Sequence, residues 1–90
     1  WHIKLLKLFN NPKKYEEGFQ YETTWHKTVI EHAFPELRGK EKFYITICKD
    51  LYLKDLITLD SLTVTMTKQG LFERRISQLG LDFLLFIEEK

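Results

Sequence analysis

Residues 62–67 read Leu62-Thr63-Val64-Thr65-Met66-Thr67, and this alternation of apolar residues with threonine decides the predicted fold. A period of two is typical of a half-buried strand with threonine on its exposed face. Residues 68–70 follow as a turn, because Gly70 can adopt a positive φ. We therefore predict a hairpin whose return strand covers residues 71–77. A single helix from Thr67 to the end of the chain is the alternative.

Upstream of this stretch, residues 40–55 fit two structures. The apolar residues Phe43, Ile45 and Ile47 alternate with Tyr44 and Thr46, as they would on a strand. The same segment also carries a helical stripe, formed by Phe43, Tyr44, Ile47, Cys48 and Leu51. The segment contains no turn signal and is longer than most strands. We therefore predict a helix.

The flanking segments also have helical patterns. Residues 3–9 form a short amphipathic helix, and a further turn covers residues 12–17. Thr23 or Thr24 can cap the next helix, which ends at Phe34 because Pro35 follows. Residues 79–89 form a closing helix with Phe83, Leu84 and Ile87 as its apolar stripe. The predicted fold class is α+β, mostly helical.

Two segments of this arrangement carry a family resemblance. Residues 47–57 read Ile-Cys-Lys-Asp-Leu-Tyr-Leu-Lys-Asp-Leu-Ile, and residues 75–84 read Arg-Ile-Ser-Gln-Leu-Gly-Leu-Asp-Phe-Leu. The chain resembles winged helix-turn-helix domains, in which the third helix exits through a Gly-Leu-Ile-like segment into the wing. Asp55 stands where glycine is usual, and aspartate tolerates the left-handed conformation better than most residues. The chain is also similar to C-terminal domains of bacterial abortive-infection proteins of the Abi-alpha type.

The resemblance implies a winged helix with three helices, a β-hairpin wing and a closing C-terminal helix. We expect residues 1–90 to form one such domain. The chain begins at Trp1, and its one methionine is Met66, so we expect it to be a fragment of a longer bacterial protein.

A winged helix of this kind implies a DNA-binding surface on the long helix and the wing. The six candidate residues are Lys42, Thr46, Lys49, Lys68, Arg74 and Arg75. The charge pattern favours a different interpretation. The net charge is only +1, and five basic residues face four acidic ones in residues 36–55. Phosphate binding relies on unopposed cations, so solvated surface charge is the favoured interpretation.

The N-terminal helix offers a candidate partner surface formed by Trp1, Leu5 and Leu8, with Leu85 or Phe86 as possible additions. These apolar residues fill the domain's own core in the alternative interpretation. We predict a non-catalytic interaction or oligomerisation module, with a protein partner or self-association. A DNA-binding winged helix, from a transcription regulator or a phage-defence component, is the alternative.

Other functions lack the residues that they need. His26 and His32 are six positions apart, so they do not form a helical metal site, and we expect His26 to be solvated. We expect no enzyme, because no catalytic motif is present, and no cofactor. No apolar run approaches the length of a membrane span, and the lone Cys48 suits the reducing cytoplasm.

Overall fold

A computed structural model describes residues 1–59, 61–62 and 64–88. Its helices are α1 (His2–Asn10), α2 (His26–Ala33), α3 (Glu41–Leu53), α4 (Lys68–Leu71) and α5 (Gln78–Glu88), and its strands are β1 (Thr23–Thr24) and β2 (Met66–Thr67). Single 3-10 turns cover Pro12–Tyr15 and Pro35–Leu37. The described part is mostly helical with a two-stranded antiparallel sheet, so the predicted α+β, mostly helical class is confirmed.

The helical interpretation of residues 40–55 is confirmed, because α3 covers nearly all of them. Four residues of the predicted stripe face the core, since Tyr44, Ile47, Cys48 and Leu51 are buried, whereas the fifth, Phe43, is exposed. The hydroxyl of Tyr44 donates a hydrogen bond to the carboxylate of Glu31 on α2. The hydroxyl of the buried Tyr44 ring therefore has a hydrogen-bond partner.

The exit from α3 follows the predicted left-handed conformation. Asp55 has a φ of 60°, and it is the one described residue other than glycine with a positive φ. The chain then runs beside the segment that precedes α5, with Ile57 and Ile76 as an antiparallel bridge. The amide of Thr58 donates to the carbonyl of Arg75 at 2.7 Å. Residues 56–58 therefore pair with residues 75–77.

The predicted hairpin is wrong. Met66–Thr67 pairs with Thr23–Thr24 instead of with residues 71–77, and residues 68–70 begin α4 rather than form a turn. The physical reason lies in Leu71 and Phe72, which are both buried in the same small cluster. Adjacent residues of a strand point to opposite faces, so only a helical turn buries both together.

The rest of the predicted alternation is also incomplete. Val64 is exposed although Leu62 is buried, and Thr63 lies outside the described residues. The alternative of one helix from Thr67 onward is wrong too, because α4 ends at Leu71 and α5 begins at Gln78. The closing helix itself is confirmed, although its predicted last residue, Glu89, is not described.

Helix α1 packs against both α3 and α5 and forms the centre of the larger core. This core includes Leu5, Leu6, Leu8, Phe9, Ile30, Leu37, Tyr44, Ile47, Cys48, Leu51, Ile57, Leu59, Leu62 and Leu84. A smaller cluster of Phe19, Val29, Leu71 and Phe72 lies against the sheet, and the partly buried Met66 packs against both. This arrangement leaves one side of α5 outside the core.

Candidate functional site

Three of the predicted DNA-binding residues lie on α3. Lys42, Thr46 and Lys49 are exposed, at spacings of four and three that place them on one side of the helix. The hydroxyl of Thr46 donates to the carbonyl of Lys42 at 2.6 Å. Neither lysine forms an ion pair within the described residues.

Arg74, a predicted wing residue, is held against the end of α1. Its Nε donates to the carbonyl oxygen of Asn10 at 3.0 Å, and its Nη2 donates to Asn10 Oδ1 at 2.6 Å. Lys68 Nζ donates to the carbonyl of Phe19 at 3.4 Å and lies 3.9 Å from a carboxylate oxygen of Glu16. Both cations therefore have partners from the N-terminal third of the chain.

Arg75 is mostly buried, and its side chain contacts residues close to it in sequence. Its Nη2 donates to the carbonyl of Gly70 at 2.8 Å and lies 3.5 Å from a carboxylate oxygen of Glu73. The predicted basic surface is therefore divided. Its α3 residues are exposed, whereas Arg74 and Arg75 hold the segment between α4 and α5 in place.

The predicted partner surface on α1 is wrong for two of its three residues. Leu5 and Leu8 are buried in the larger core, so the alternative interpretation holds for both. Helical geometry is the reason, because the same face of α1 that bears them packs on α3 and α5. Trp1 is partly buried, and its ring packs edge-on against Phe34 and Phe43.

The structure places an exposed apolar surface on α5, and this surface includes Phe86, one of the two possible additions to the predicted partner surface. Leu79, Phe83 and Phe86 are 55%, 41% and 58% exposed. Their spacings of four and three align them along one side of the helix, and we call this row the α5 ridge. The sequence prediction placed Phe83 in the core and did not select Leu79. The spacing of four and three is visible in the sequence, but only the burial of Leu84 in the structure shows that this row faces outward.

A groove of about 480 Å³ lies beside the α5 ridge. Leu6, Leu51 and Leu56 form its apolar wall on the side of α1 and α3, and Leu79 and Phe83 form the other wall. The ridge and the groove thus form one continuous apolar surface. Surfaces of this kind are typical of protein-protein contact sites.

Two polar residues that line the groove, His2 and Lys54, both contact the carboxylate of Asp50, which lies next to the rim. Asp50 Oδ2 lies 3.0 Å from both His2 Nε2 and Lys54 Nζ. The hydrogen bond from Lys54 is the largest cause that lowers the pKa of Asp50; desolvation opposes it, and the hydrogen bond with His2 adds to the lowering. The rim therefore presents a paired carboxylate rather than an isolated charge.

The titratable groups of the core are unsuited to acid-base chemistry near neutral pH. Burial raises the pKa of the Cys48 thiol to about 12. Burial and the hydrogen bond to Glu31 raise the pKa of Tyr44 well above its usual value. Among the residues that the structure describes, no cluster of histidine, cysteine and acidic side chains could hold a metal ion.

His26 was predicted to be solvated, and this prediction is wrong. The residue is only 2% exposed, although it is the first residue of α2. Burial is the main cause that lowers its pKa to about 4, and the positive charge of Arg75 adds to the effect. The histidine is therefore neutral in the folded protein at neutral pH.

No helix in the described ranges is long and apolar enough to cross a bilayer. In comparisons with known proteins, no family model, no curated protein and no solved structure matches the chain.

Proposed function

We propose that this chain is a non-catalytic interaction module that forms a homodimer through the α5 ridge and the adjacent groove. The observation that supports this function is the continuity of the two apolar surfaces on one side of the molecule. Isolated exposed apolar residues are normal in monomeric proteins, whereas the largest contiguous apolar patch of a protein is often a functional surface.

A second copy fits this surface because the ridge and the groove are adjacent. In a two-fold dimer, each copy contributes the same patch, so each ridge can enter the groove of the other copy. Leu79 and Phe83 carry no charge, and the rim carboxylate of Asp50 is already paired. The net charge of +1 adds little repulsion between two copies.

The size of the surface predicts a weak dimer. A stable interface buries about 800 Å² of accessible surface on each partner. We expect the three partly exposed side chains of the ridge and the adjacent groove to bury a smaller area. The aromatic rings at the centre of the ridge are of the type that dominates binding energy. We therefore expect a dissociation constant in the micromolar range, about 10 to 100 µM.

Sedimentation velocity over a range of about 1 to 300 µM tests this function. The average mass of the full chain should rise from that of a monomer toward that of a dimer. Phe83→Glu places a charge at the centre of the ridge and should keep the protein monomeric throughout the range. The circular dichroism of this variant should be unchanged, because Phe83 lies outside the core.

Tyr21→Glu is the matched control. Tyr21 is also an exposed aromatic residue, but it precedes β1 and does not belong to α5. This variant should dimerise like the original chain. A chain that stays monomeric at the highest concentration would contradict the proposed function. Dimerisation that Phe83→Glu leaves intact would also contradict it, since the interface would then lie elsewhere.

Binding of duplex DNA is not part of the proposed function. Arg74 and Arg75, the most suggestive candidates, already donate to carbonyl oxygens of Asn10 and Gly70. Phosphate binding by either side chain would compete with these contacts. We place the module in a reducing compartment such as the cytoplasm, since Cys48 is a free, buried thiol.

A further inference from the structure

An open cleft of about 790 Å³ lies where the start of α1 meets the start of α3. Trp1 and Phe43 form its aromatic wall, and Lys40 and Lys42 lie along its edge. This volume is in the range of sites that bind small molecules or single residues of a polymer. The cleft is separate from the groove that the proposed dimer would occupy, since the two share no lining residue.

The aromatic wall has a fixed geometry and an accessible ring. The ring centroids of Trp1 and Phe43 are 6.5 Å apart at an angle of 88°, and Phe34 supports Trp1 from a third direction at 5.4 Å. Phe43 is 44% exposed although it belongs to the apolar stripe of α3. A preformed, exposed phenyl ring is a stacking surface for a flat ligand.

Cations surround this wall. Lys4 Nζ lies 4.4 Å from the centroid of the Trp1 ring, and Lys40 and Lys42 line the cleft. Residues 1–15 include four lysines and no acidic residue. Two acidic residues also line the cleft, but Glu41 is paired with Lys27 at 2.5 Å. Glu36 is then the acid that remains to oppose the lysines of the cleft.

A flat apolar surface beside lysines that outnumber the one remaining acid of the cleft lining, Glu36, favours a ligand that combines a planar ring with negative charge. Single-stranded nucleic acid has this chemistry in every nucleotide, because its unpaired bases stack and its phosphates bind cations. In a duplex, the base faces are covered by their neighbours and only edges remain accessible. The aromatic wall would therefore add nothing to duplex binding.

We propose that this cleft binds single-stranded nucleic acid. An unpaired base stacks on Phe43, and the adjoining phosphates contact Lys4 and Lys42. The site differs from the surface that the winged-helix resemblance implied, because it uses the start of α3 and the N-terminus of α1 without Arg74 or Arg75. It is independent of dimerisation through the α5 ridge.

Titration of the full chain with a short oligothymidylate tests this site. The chain has two tryptophans, so Trp25→Phe leaves Trp1 as the single fluorescent reporter at the cleft. We expect the emission of Trp1 to be quenched on binding, with a dissociation constant in the micromolar range that rises steeply between about 20 and 200 mM salt. A duplex of the same length should bind at least roughly tenfold more weakly.

Two variants separate stacking from charge. Phe43→Leu keeps an apolar side chain but removes the ring, and it should weaken binding by about tenfold. Lys42→Gln should weaken binding and also reduce its dependence on salt. Tyr52→Leu, on the exposed side of the same helix, is the control and should bind like the original chain.

Three results would overturn the proposed site. The first is the absence of any quenching or binding at a concentration of about 1 mM oligonucleotide. The second is equal affinity for single strands and duplex. The third is an affinity that Phe43→Leu leaves unchanged, because binding would then not involve stacking at the cleft.

Discussion

Gly80 shows how one residue can set the distance between two segments. A Cβ at this position would lie 2.1 Å from the carbonyl oxygen of Leu56 and 2.8 Å from the side chain of Ile76. Real Cβ atoms do not approach a backbone oxygen so closely. The first turn of α5 can therefore lie on the exit from α3 only because residue 80 has no side chain.

We expect Gly80→Ala to destabilise the protein by about 2 kcal/mol or more, because α5 must move away from Leu56. Gly70→Ala is the matched control, since its Cβ would meet Met66 at an ordinary 3.5 Å. That substitution lies inside α4 and should be neutral or stabilise by up to about 1 kcal/mol. Urea unfolding followed by circular dichroism measures both changes, and equal stabilities of the two variants would contradict the close approach.

His26 makes stability depend on pH, and the direction follows from its surroundings. Neither ring nitrogen has a hydrogen-bond partner in the described part of the chain, and the nearby Arg75 is positively charged. The pKa falls from 6.5 in the unfolded chain to about 4 in the folded protein. Between these two values the unfolded chain binds a proton that the folded protein does not.

The contribution of neutral His26 to stability is therefore fully present above about pH 6.5 and is lost progressively as the pH falls to 4. We expect a loss of roughly 2 kcal/mol by about pH 4.5. His26→Phe should remove this part of the pH dependence, whereas His32→Gln should keep it. Denaturant unfolding at several pH values gives the comparison, and identical pH profiles for His26→Phe and the original chain would contradict the assignment.

At the scale of the elements, α5 packs through one narrow face. Leu84 is buried in the larger core, and the next residue, Leu85, is half exposed. The N-terminus of the helix is anchored by Ser77, whose hydroxyl accepts from the amide of Gly80 at 2.9 Å and donates to the carbonyl of Asp55 at 2.5 Å. These contacts fix the rotation of α5 and so determine which residues form the α5 ridge.

A pair of alanine substitutions tests this rotation. Leu84→Ala should cost about 2 to 4 kcal/mol, because it leaves a cavity between α5 and α1. Leu85→Ala should change the stability by less than about 0.5 kcal/mol. Both are measured as differences in the free energy of unfolding. A larger loss for Leu85→Ala than for Leu84→Ala would mean that α5 presents a different face to the core.

The element that sequence patterns predicted least well is the segment from β2 to α4. Periodicity in residues 62–67 indicates a strand, and part of that strand forms as Met66–Thr67. Its partner is Thr23–Thr24, which is distant in sequence and carries no pairing signal. Local pattern predicts the type of an element, whereas the choice of its partner depends on long-range packing.

At the scale of the whole molecule, the two hydrophobic clusters meet at Met66. Cys48 lies within the larger cluster and is the one cysteine of the chain. The thiolate is the reactive form of cysteine, and burial both hides the sulfur atom and raises its pKa to about 12. We therefore expect reaction of this thiol to require the larger core to open.

We expect Cys48 to react with a thiol reagent at about pH 8 at least roughly a thousandfold more slowly in the native protein than in denaturant. Its labelling rate should follow the global stability, so Leu84→Ala should accelerate it and Leu85→Ala should not. Ellman's reagent gives the rates directly. Rapid native labelling that is independent of denaturant would contradict the burial of this residue.

Most of the helices and the α+β class were determined by the sequence alone, because helical spacing is a local property, and the resemblance to winged-helix domains implied the left-handed exit at Asp55. The tertiary structure decided the strand partners, the roles of Arg74 and Arg75 and the burial of Leu5 and Leu8. It also decided the candidate site, since α5 carries apolar residues around much of its circumference. The packing of Leu84 against the core, the contacts of Ser77 and the fit of Gly80 on Leu56 together determine which of them remain outside the core.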